Sequence, residues 1–185
     1  MYNNYLTAVA QVPAVFTAEE CRRLIELPLP SMEAKINVAG PESSAVNHEI
    51  RRTTDKPIPP DAENAWVFER IGKLVGKLNQ VSYKFLLNEL VTIHVLEYAP
   101  TGFYDWHIDL GIEVYATRKI SLVTFLTPPE EYEGGELCFM DRGEPYKLAQ
   151  GATVLFPSYL IHKVAPVTRG KRFSMVSWVH GPSFN

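Results

Sequence analysis

Apolar and polar residues alternate in short runs through residues 91–180 of the chain. Valine, isoleucine, threonine and aromatic residues are frequent in these runs, and such residues favour the pleated surface of a strand. Proline and glycine mark the turns between the runs. The pattern predicts eight strands, over residues 91–98, 103–109, 118–126, 135–140, 146–148, 152–156, 162–164 and 171–180. Eight such strands suit two packed sheets, so we predict a mainly β protein of the α+β class built on a double-stranded β-helix, or jelly roll.

Two segments that precede these strands have helical periodicity. Thr17 and Glu20 have the spacing of a capping box, which predicts a helix over residues 17–27. Residues 61–80 form a longer helical pattern with an apolar stripe along one face. We expect both N-terminal helices to brace one outer face of the jelly roll.

Three residues of the longer helix carry expectations of their own. Asp61 is placed as the N-terminal cap of the helix. Gly72 and Gly76 each lower the helix propensity by about 1 kcal/mol relative to alanine. Close packing of the helix on a sheet would explain why glycine stands at these two positions.

The segment between the two helices is polar and interrupted by proline. Its predicted parts are a strand, a loop, and an irregular segment with a short strand inside it: residues 32–38, 40–44, 45–60 and 50–52. His48, Arg51 and Arg52 either line a substrate entrance or belong to a solvated surface.

Composition indicates a single globular domain over residues 1–185. The chain has 185 residues, of which 46% are hydrophobic and 21% charged, which is enough apolar material for a core. Residues 1–90 are expected to be helical and irregular support, and residues 91–180 the jelly-roll core. No apolar run approaches the roughly 18 residues of a membrane span, and the first residues lack a secretory signal. We therefore expect a cytoplasmic protein without membrane contact.

Charge and cysteine usage narrow the function classes further. Lys and Arg number 18 against 21 Asp and Glu, a net charge of −3, which gives no reason to expect a nucleic-acid partner. Cys21 and Cys138 lie far apart and lack zinc-type spacing, so both are predicted to be buried free thiols.

His107 and Asp109 lie two positions apart in a predicted strand and should therefore project from the same face. His162, inside an apolar run, is the candidate for a second imidazole. Two histidines and one carboxylate with open coordination positions suit non-haem Fe(II) and O2 chemistry. The remaining histidines are interpreted as a loop residue, an ordinary strand residue and an exposed residue, respectively: His48, His94 and His180.

Arg172 is the candidate for binding a carboxylate near this metal. Residues 168–170 are predicted to form a turn that sends the chain back as a strand. On that strand Arg172 shares a face with Trp178, whereas Lys171 is on the other face. An arginine fork suits bidentate capture of a carboxylate. We therefore prefer Arg172 to Lys171, and interpret Arg169 as a turn residue in solvent.

These residues resemble the motif of a known family. His107, Asp109, His162 and Arg172, flanked by Tyr98 and Trp178, resemble the Fe(II)- and 2-oxoglutarate-dependent dioxygenases of the prolyl 4-hydroxylase superfamily, which have cupin-like folds. Residues 132–137 and 162–172 are similar to the bacterial and phage branch called PKHD-type hydroxylases. The likeness covers about residues 91–180.

The resemblance implies roles for the residues and a set of cofactors. It implies Fe(II) held by the three metal ligands, His107, Asp109 and His162, with 2-oxoglutarate as cosubstrate and O2 as oxidant. Ascorbate is an additional candidate. Arg172 would bind the distal carboxylate of 2-oxoglutarate, Tyr98 would hydrogen-bond the cosubstrate, and Leu137 would pack against its methylene groups. The products would be succinate, CO2 and a hydroxylated substrate.

The resemblance also suggests a prolyl residue in a peptide or protein as the substrate. Arg118 matches a position near the substrate cleft of prolyl hydroxylases, and three aromatic residues are candidates for an apolar wall: Tyr104, Trp106 and Trp178. Residues 42–60 are a candidate lid over an extended peptide.

Other interpretations stay open from the sequence. A free amino acid or small metabolite could be the substrate instead. A halogenase would lack the metal carboxylate, and Asp109 is present. A jelly-roll binding module with a non-catalytic metal would not need Arg172. The sequence gives no indication of the oligomeric state.

Overall fold

The computed structural model describes residues 5–37 and 44–183. Its helices are α1 Ala18–Ile25 and α2 Ala65–Val81, with two short 3-10 helices at Glu113–Thr117 and Pro129–Glu131. Its strands are β1 Ala10–Val12, β2 Met32–Glu33, β3 Ile36–Asn37, β4 Ser44–Ala45, β5 Arg51–Arg52, β6 Thr54–Ile58, β7 Glu89–Tyr98, β8 Phe103–His107, β9 Arg118–Phe125, β10 Tyr132–Gly134, β11 Leu137–Phe139, β12 Thr153–Pro157, β13 His162–Val164, β14 Val167–Gly170 and β15 Arg172–His180.

Two antiparallel sheets form the body of the fold. The large sheet has the order β1-β12-β9-β15-β7-β6-β2, and the smaller one has the order β11-β13-β8-β5. Two-stranded ribbons, β10 with β14 and β3 with β4, complete the topology of the described residues. The predicted jelly-roll architecture is confirmed, since from β7 onward the strands of the two main sheets alternate between them along the chain.

The large sheet buries an apolar layer on each of its faces. On the outer face, Leu24 of α1 and Ile71 of α2 pack with Met175 of β15. On the inner face, Val176 of β15 packs with Phe139 of the smaller sheet. The predicted alternation along the last strand, with one face toward the helices, is therefore confirmed.

The capping box predicted at the start of α1 is present. The Glu20 amide donates to Thr17 Oγ1 at 3.2 Å, and the Thr17 amide donates to Glu20 Oε2 at 2.9 Å. Two of the amides that a helix start leaves without partners are thus satisfied, which fixes where the chain enters α1.

The start of α2 differs from the prediction. Asp61 is not the cap, because the helix begins at Ala65 and Asn64 is the residue before it. The Asp61 carboxylate instead accepts from the Asn64 amide at 3.0 Å and from its side chain at 2.9 Å. The turn that Asp61 closes therefore precedes the helix, and the boundary was predicted three residues too early.

The explanation offered for Gly72 and Gly76 is wrong. A Cβ built at either position would meet nothing within 4 Å, so neither glycine permits a close approach to the sheet. Both residues lie on the exposed side of α2.

Gly72→Ala and Gly76→Ala are therefore expected to stabilise the protein. Each change should raise the free energy of unfolding by roughly 0.5–1 kcal/mol, because alanine loses less backbone entropy on folding and meets no clash. Urea unfolding of the two variants and the parent checks this. A lower stability in either variant would show that the side of α2 assigned to solvent is covered.

Several short strands were not predicted. Residues 32–38 hold the two separate strands β2 and β3, with residue 38 outside the described part. Residues 146–148, predicted as a strand, contribute only an isolated bridge from Tyr146 to Leu137. The predicted turn at residues 168–170 lies within β14, which pairs with β10. Strands of two to four residues carry too little alternation to be recognised from the pattern.

The strand β6 has consequences for the predicted lid. Proline at position 57 argued against a strand there, yet β6 pairs with β7 inside the large sheet. Within the proposed lid, residues 42–60, the C-terminal part that forms β6 is therefore hydrogen-bonded into the sheet. Residues 42 and 43 lie outside the described residues.

Candidate active site

The structure brings His107, Asp109 and His162 together between the two sheets. His107 of β8 and His162 of β13 are direct cross-strand partners, and their ring centroids are 4.2 Å apart. The Asp109 carboxylate lies 3.8 Å from His107 Nε2 and 3.7 Å from His162 Nε2. Contrary to the expectation of one regular strand, β8 ends at His107, and the Asp109 amide donates to the Ser158 carbonyl at 2.9 Å.

Both imidazoles are oriented by backbone carbonyls. His107 Nδ1 lies 2.7 Å from the Asp105 carbonyl oxygen, and His162 Nδ1 lies 2.9 Å from that of Leu160. A carbonyl only accepts, so each Nδ1 carries the proton and donates it. This leaves both Nε2 atoms with lone pairs directed at the Asp109 side, which is the orientation that metal-ligating histidines have.

The ionisation states at this site suit a divalent cation. Burial, together with the neighbouring His162, lowers the pKa of His107 to about 3, so its imidazole is neutral near pH 7. Burial alone would raise the pKa of Asp109, but His162, His107 and Arg118 outweigh it and lower the pKa to about 2. One ligand atom from each of the three residues fits within 4.8 Å of the others. Two imidazoles and a carboxylate at this spacing fit Fe(II) with open positions.

A cavity of about 240 Å³ extends from these residues between the sheets. Arg172 is part of its wall, although the residue is only 1% exposed. Its Nη1 donates to Ser174 Oγ at 3.0 Å, and the Tyr132 hydroxyl lies beside the guanidinium, while Nε and Nη2 make no hydrogen bond of good geometry within the described residues. A buried guanidinium with free donors is costly unless a ligand completes it. The cavity therefore offers donors suited to an anion.

Glycine makes room for this arginine. Gly135 has a φ of +68°, and a Cβ there would lie 2.8 Å from Arg172 Cδ. Gly135 comes just before β11. A side chain at this position would strain the backbone and push against Arg172, so Gly135 has a steric role beside the cavity.

Tyr98 and Leu137 line the same cavity as Arg172. Tyr98 is the cross-strand partner of Arg172, whose guanidinium carbon lies 5.1 Å from the Tyr98 ring centre. Burial raises the pKa of Tyr98, so its hydroxyl stays protonated and can donate. Leu137 is fully buried in the opposite sheet and adds apolar surface.

The neighbouring cations point elsewhere. Lys171, with a side chain 60% exposed, pairs with Glu97 at 2.6 Å on the other face of the sheet. Arg169 lies in β14 and pairs with Glu133 at 2.8 Å, so it is an exposed strand residue and not the free turn residue that was predicted.

Three of the four candidate substrate residues line the cavity. They are Tyr104, Arg118 and Trp178. The Arg118 guanidinium carbon lies 3.9 Å from the Trp178 ring centre and 4.6 Å from that of Tyr115. Trp106 does not line the cavity. It is 39% exposed and lies under Lys163, because it projects from the opposite face of β8 to His107.

Two of the remaining histidines also differ from the predictions. His94 lines the cavity and is not an ordinary strand residue, since its Nδ1 lies 2.7 Å from Asp55 Oδ1. His180 is half-buried, not exposed, and its Nδ1 lies 2.8 Å from Thr117 Oγ1. His48 is exposed, pairs with Glu33 at 3.5 Å and is not part of the metal cluster.

The arginines beside His48 separate into different environments. Arg51 lines the cavity, and its guanidinium carbon is 4.5 Å from the Tyr104 ring centre. Arg52 does not line it and donates to Thr101 Oγ1 at 3.1 Å. Only Arg51 matches the suggestion of a substrate entrance.

The two cysteines are both free. Cys21 is buried, as predicted, whereas Cys138 is only half-buried. Among the described residues, the helices are too short or too polar to cross a bilayer.

Known proteins are similar to this chain over the region that contains these residues. The model of the 2OG-Fe(II) oxygenase superfamily matches residues 93–180. The PKHD-type hydroxylase PiuC of Pseudomonas aeruginosa is 30% identical over 182 residues, which cover 90% of this chain and 76% of PiuC.

Two solved structures are similar in fold. A Pseudomonas putida prolyl-4-hydroxylase has a TM-score of 0.70 at 22% identity, over 96% of this chain and 94% of that one. A Trichoplax adhaerens prolyl hydroxylase, in complex with a hypoxia inducible factor peptide fragment, has a TM-score of 0.71 at 16% identity, over 96% and 84% of the two chains. The chain belongs to the 2OG-Fe(II) oxygenase superfamily and is a 2-oxoglutarate-dependent hydroxylase.

Proposed function

We propose that this protein hydroxylates a C–H bond of a prolyl residue in a peptide or protein, with release of succinate and CO2. The observation that carries the cosubstrate assignment is Arg172, a buried guanidinium with two free donor nitrogens in the cavity that also holds the His-Asp-His cluster. When bound, Fe(II) and 2-oxoglutarate supply the activation of O2 that no side chain can provide.

The residues of the cavity divide between the two reactants. His107, Asp109 and His162 would hold the iron. Arg172 would bind the distal carboxylate of 2-oxoglutarate by paired hydrogen bonds. Tyr98 would donate a hydrogen bond from its hydroxyl to the same cosubstrate.

Leu137 contributes to the cosubstrate end of the cavity by exclusion of water. It is fully buried on the sheet that faces Arg172. It would pack against the methylene groups of 2-oxoglutarate, and this desolvation strengthens the arginine–carboxylate pair.

The substrate end of the cavity has an aromatic and cationic wall. Trp178 and Tyr104 offer flat apolar surfaces to a pyrrolidine ring. Arg118, buried between Trp178 and Tyr115, makes no ion pair within the described residues and would donate to a substrate carbonyl or carboxylate. The Trichoplax neighbour, which binds a peptide fragment, supports a peptide in this position.

A free amino acid or another small metabolite is the second candidate. Arg118 favours it, because this buried guanidinium donates only to the Asp109 carbonyl oxygen, at 3.3 Å, and forms no salt bridge among the described residues. A carboxylate would neutralise it more completely than a peptide carbonyl would. Peptide and free amino acid are therefore tested side by side.

The test incubates the protein with Fe(II), 2-oxoglutarate, O2 and ascorbate as the reductant for iron. One set of reactions contains acetylated and amidated Xaa-Pro-Xaa tripeptides, and the other contains free amino acids. The proposal predicts that mass spectrometry will detect peptides heavier by one oxygen atom, with one succinate formed for each oxidised peptide. Oxidation confined to the free amino acids would replace the peptide assignment, and no oxidised product in either set would contradict the proposed function.

A further inference from the structure

We infer that His94, oriented by Asp55, is a specificity-determining residue that accepts a hydrogen bond from an amide N–H of the substrate. This inference rests on the proposed function and names a contact within it. Neither residue belongs to the metal cluster or to the Arg172 site, yet both line the cavity.

Asp55 fixes the orientation and the tautomer of His94. The two carboxylate oxygens of Asp55 lie 2.7 and 3.0 Å from His94 Nδ1, and both side chains are about one-fifth exposed, at 19% and 20%. A carboxylate accepts from Nδ1–H, and in the neutral ring this leaves Nε2 as an acceptor. His94 Nε2 has no hydrogen-bond partner among the described residues.

The strand register places His94 away from the cosubstrate. His94 and Tyr98 share the cavity face of β7, and Tyr98 is the direct partner of Arg172. Four residues at a rise of roughly 3.3 Å separate His94 from Tyr98 by about 13 Å. A five-carbon dicarboxylate anchored on Arg172 is too short to span that distance. His94 therefore lies on the side of the cavity left to the substrate.

Trp178 links His94 to the other polar group at the substrate end. The His94 ring meets the Trp178 ring edge to face, with centroids 5.5 Å apart, and Arg118 lies 3.9 Å from the same tryptophan ring. An acceptor and a donor thus flank one aromatic surface. A peptide unit presents the complementary pair, an N–H and a carbonyl, so a segment lying across Trp178 would satisfy both His94 and Arg118.

The charge of the pair adds selectivity. The Asp55 carboxylate lies beside His94 at the substrate end of the cavity, whereas Arg172 lies at the cosubstrate end, about 13 Å away along β7. An anionic substrate group would be repelled at His94, and a neutral amide donor would be accepted. The dyad therefore favours one direction of the peptide across Trp178.

The test compares His94→Leu and His94→Gln with the parent on the capped tripeptides that the parent oxidises. Glutamine keeps an acceptor near the position of Nε2, and leucine removes it. We expect kcat/KM to fall by about 10- to 100-fold in His94→Leu, which leaves a substrate amide unpaired, and to recover most of this loss in His94→Gln. Ile93→Val, on the helix-facing side of the same strand, is the control for general loss of packing.

Matched peptides separate a hydrogen bond from a structural effect. Each carries a single N-methyl group, on the backbone nitrogen of either the residue before proline or the residue after it. In the parent, one methylated position should lower kcat/KM as much as His94→Leu does, and in His94→Leu the same methyl group should have little further effect. Absorbance of the 2-oxoglutarate chelate under anaerobic conditions verifies that the cosubstrate still binds.

The outcomes separate this inference from the proposed function. Equal kcat/KM values for His94→Leu and the parent, or an undiminished effect of methylation in His94→Leu, would overturn the role of His94 and leave the hydroxylase assignment intact. If the parent oxidises no tripeptide, the prolyl proposal fails and this inference fails with it.

Discussion

Replacement of Arg172 by alanine is expected to weaken 2-oxoglutarate binding by about 2–4 kcal/mol, which is roughly 30- to 1000-fold in Kd. The reason is that the distal carboxylate of the cosubstrate would lose its counter-charge in a buried part of the cavity, where Arg172 itself is only 1% exposed. Fe(II) affinity should change little, because the proposed metal ligands lie on β8, in the loop that follows it and on β13. Isothermal titration of the Fe(II) protein with 2-oxoglutarate under anaerobic conditions measures the change.

Lys171→Ala is the matched control for this experiment. The two cations are adjacent in sequence, but Lys171 projects from the other face and pairs with Glu97. We expect Lys171→Ala to change the Kd for 2-oxoglutarate by no more than about twofold. Lys171 does not line the cavity, and its exposed ion pair with Glu97 contributes little to stability. An equal loss of affinity in both variants would contradict the assignment of Arg172 to the cosubstrate.

Asp109→Ala should have the largest effect on activity. It removes the carboxylate that we propose as the anionic iron ligand between His107 and His162, so Fe(II) binding is expected to weaken by more than about 100-fold and hydroxylation to disappear at micromolar iron. The expected loss exceeds that for a group that merely supports a ligand, because the carboxylate would contact the metal itself. Metal titration and oxidation of the tripeptide probes measure the two effects.

The control for this carboxylate is Asp141→Ala. Asp141 is exposed and its nearest cation is Arg142, at 3.8 Å, so it lies outside the metal cluster. Unchanged iron affinity and activity are expected for this variant. Retention of activity by Asp109→Ala would mean that the two histidines hold the metal without it.

Much of the fold could be predicted because the long strands carry strong alternation. β7, β9 and β15 each have eight or more residues. On β15 the alternation alone separated Arg172 from Lys171, and the structure places only Arg172 in the cavity. Period-two patterns are reliable where one face is buried against helices and the other against a second sheet.

The substrate end of the cavity could not be predicted because it depends on pairing between distant strands. Asp55 lies in β6, where proline hid the strand, and it meets His94 only through the β6–β7 register. His94 therefore had no visible acidic neighbour in the sequence. A strand prediction across residues 54–58 would have been the signal that placed this carboxylate beside β7.

Trp106 does not line the cavity, unlike the other two aromatic residues that were predicted to form its wall. It was grouped with Tyr104 and Trp178 on residue type, although its odd spacing from His107 puts it on the other face of β8. The rule that correctly separated Arg172 from Lys171 would have excluded Trp106 as well. The same rule would also have excluded Tyr104, three positions from His107, although Tyr104 lines the cavity. The register of β8 against β13 shifts between these two residues, so parity alone could not sort the aromatic residues of β8.

One cavity contains both the 2-His-1-carboxylate cluster proposed to hold iron and the arginine proposed to bind 2-oxoglutarate. The most direct measurement is the visible absorption of the purified protein under anaerobic conditions, first with Fe(II) alone and then with 2-oxoglutarate. We predict a charge-transfer band on addition of 2-oxoglutarate, which is lost in Asp109→Ala and needs much higher 2-oxoglutarate concentrations in Arg172→Ala. Absence of the band in the parent at saturating iron and 2-oxoglutarate, with no succinate formed after air is admitted, would contradict the account.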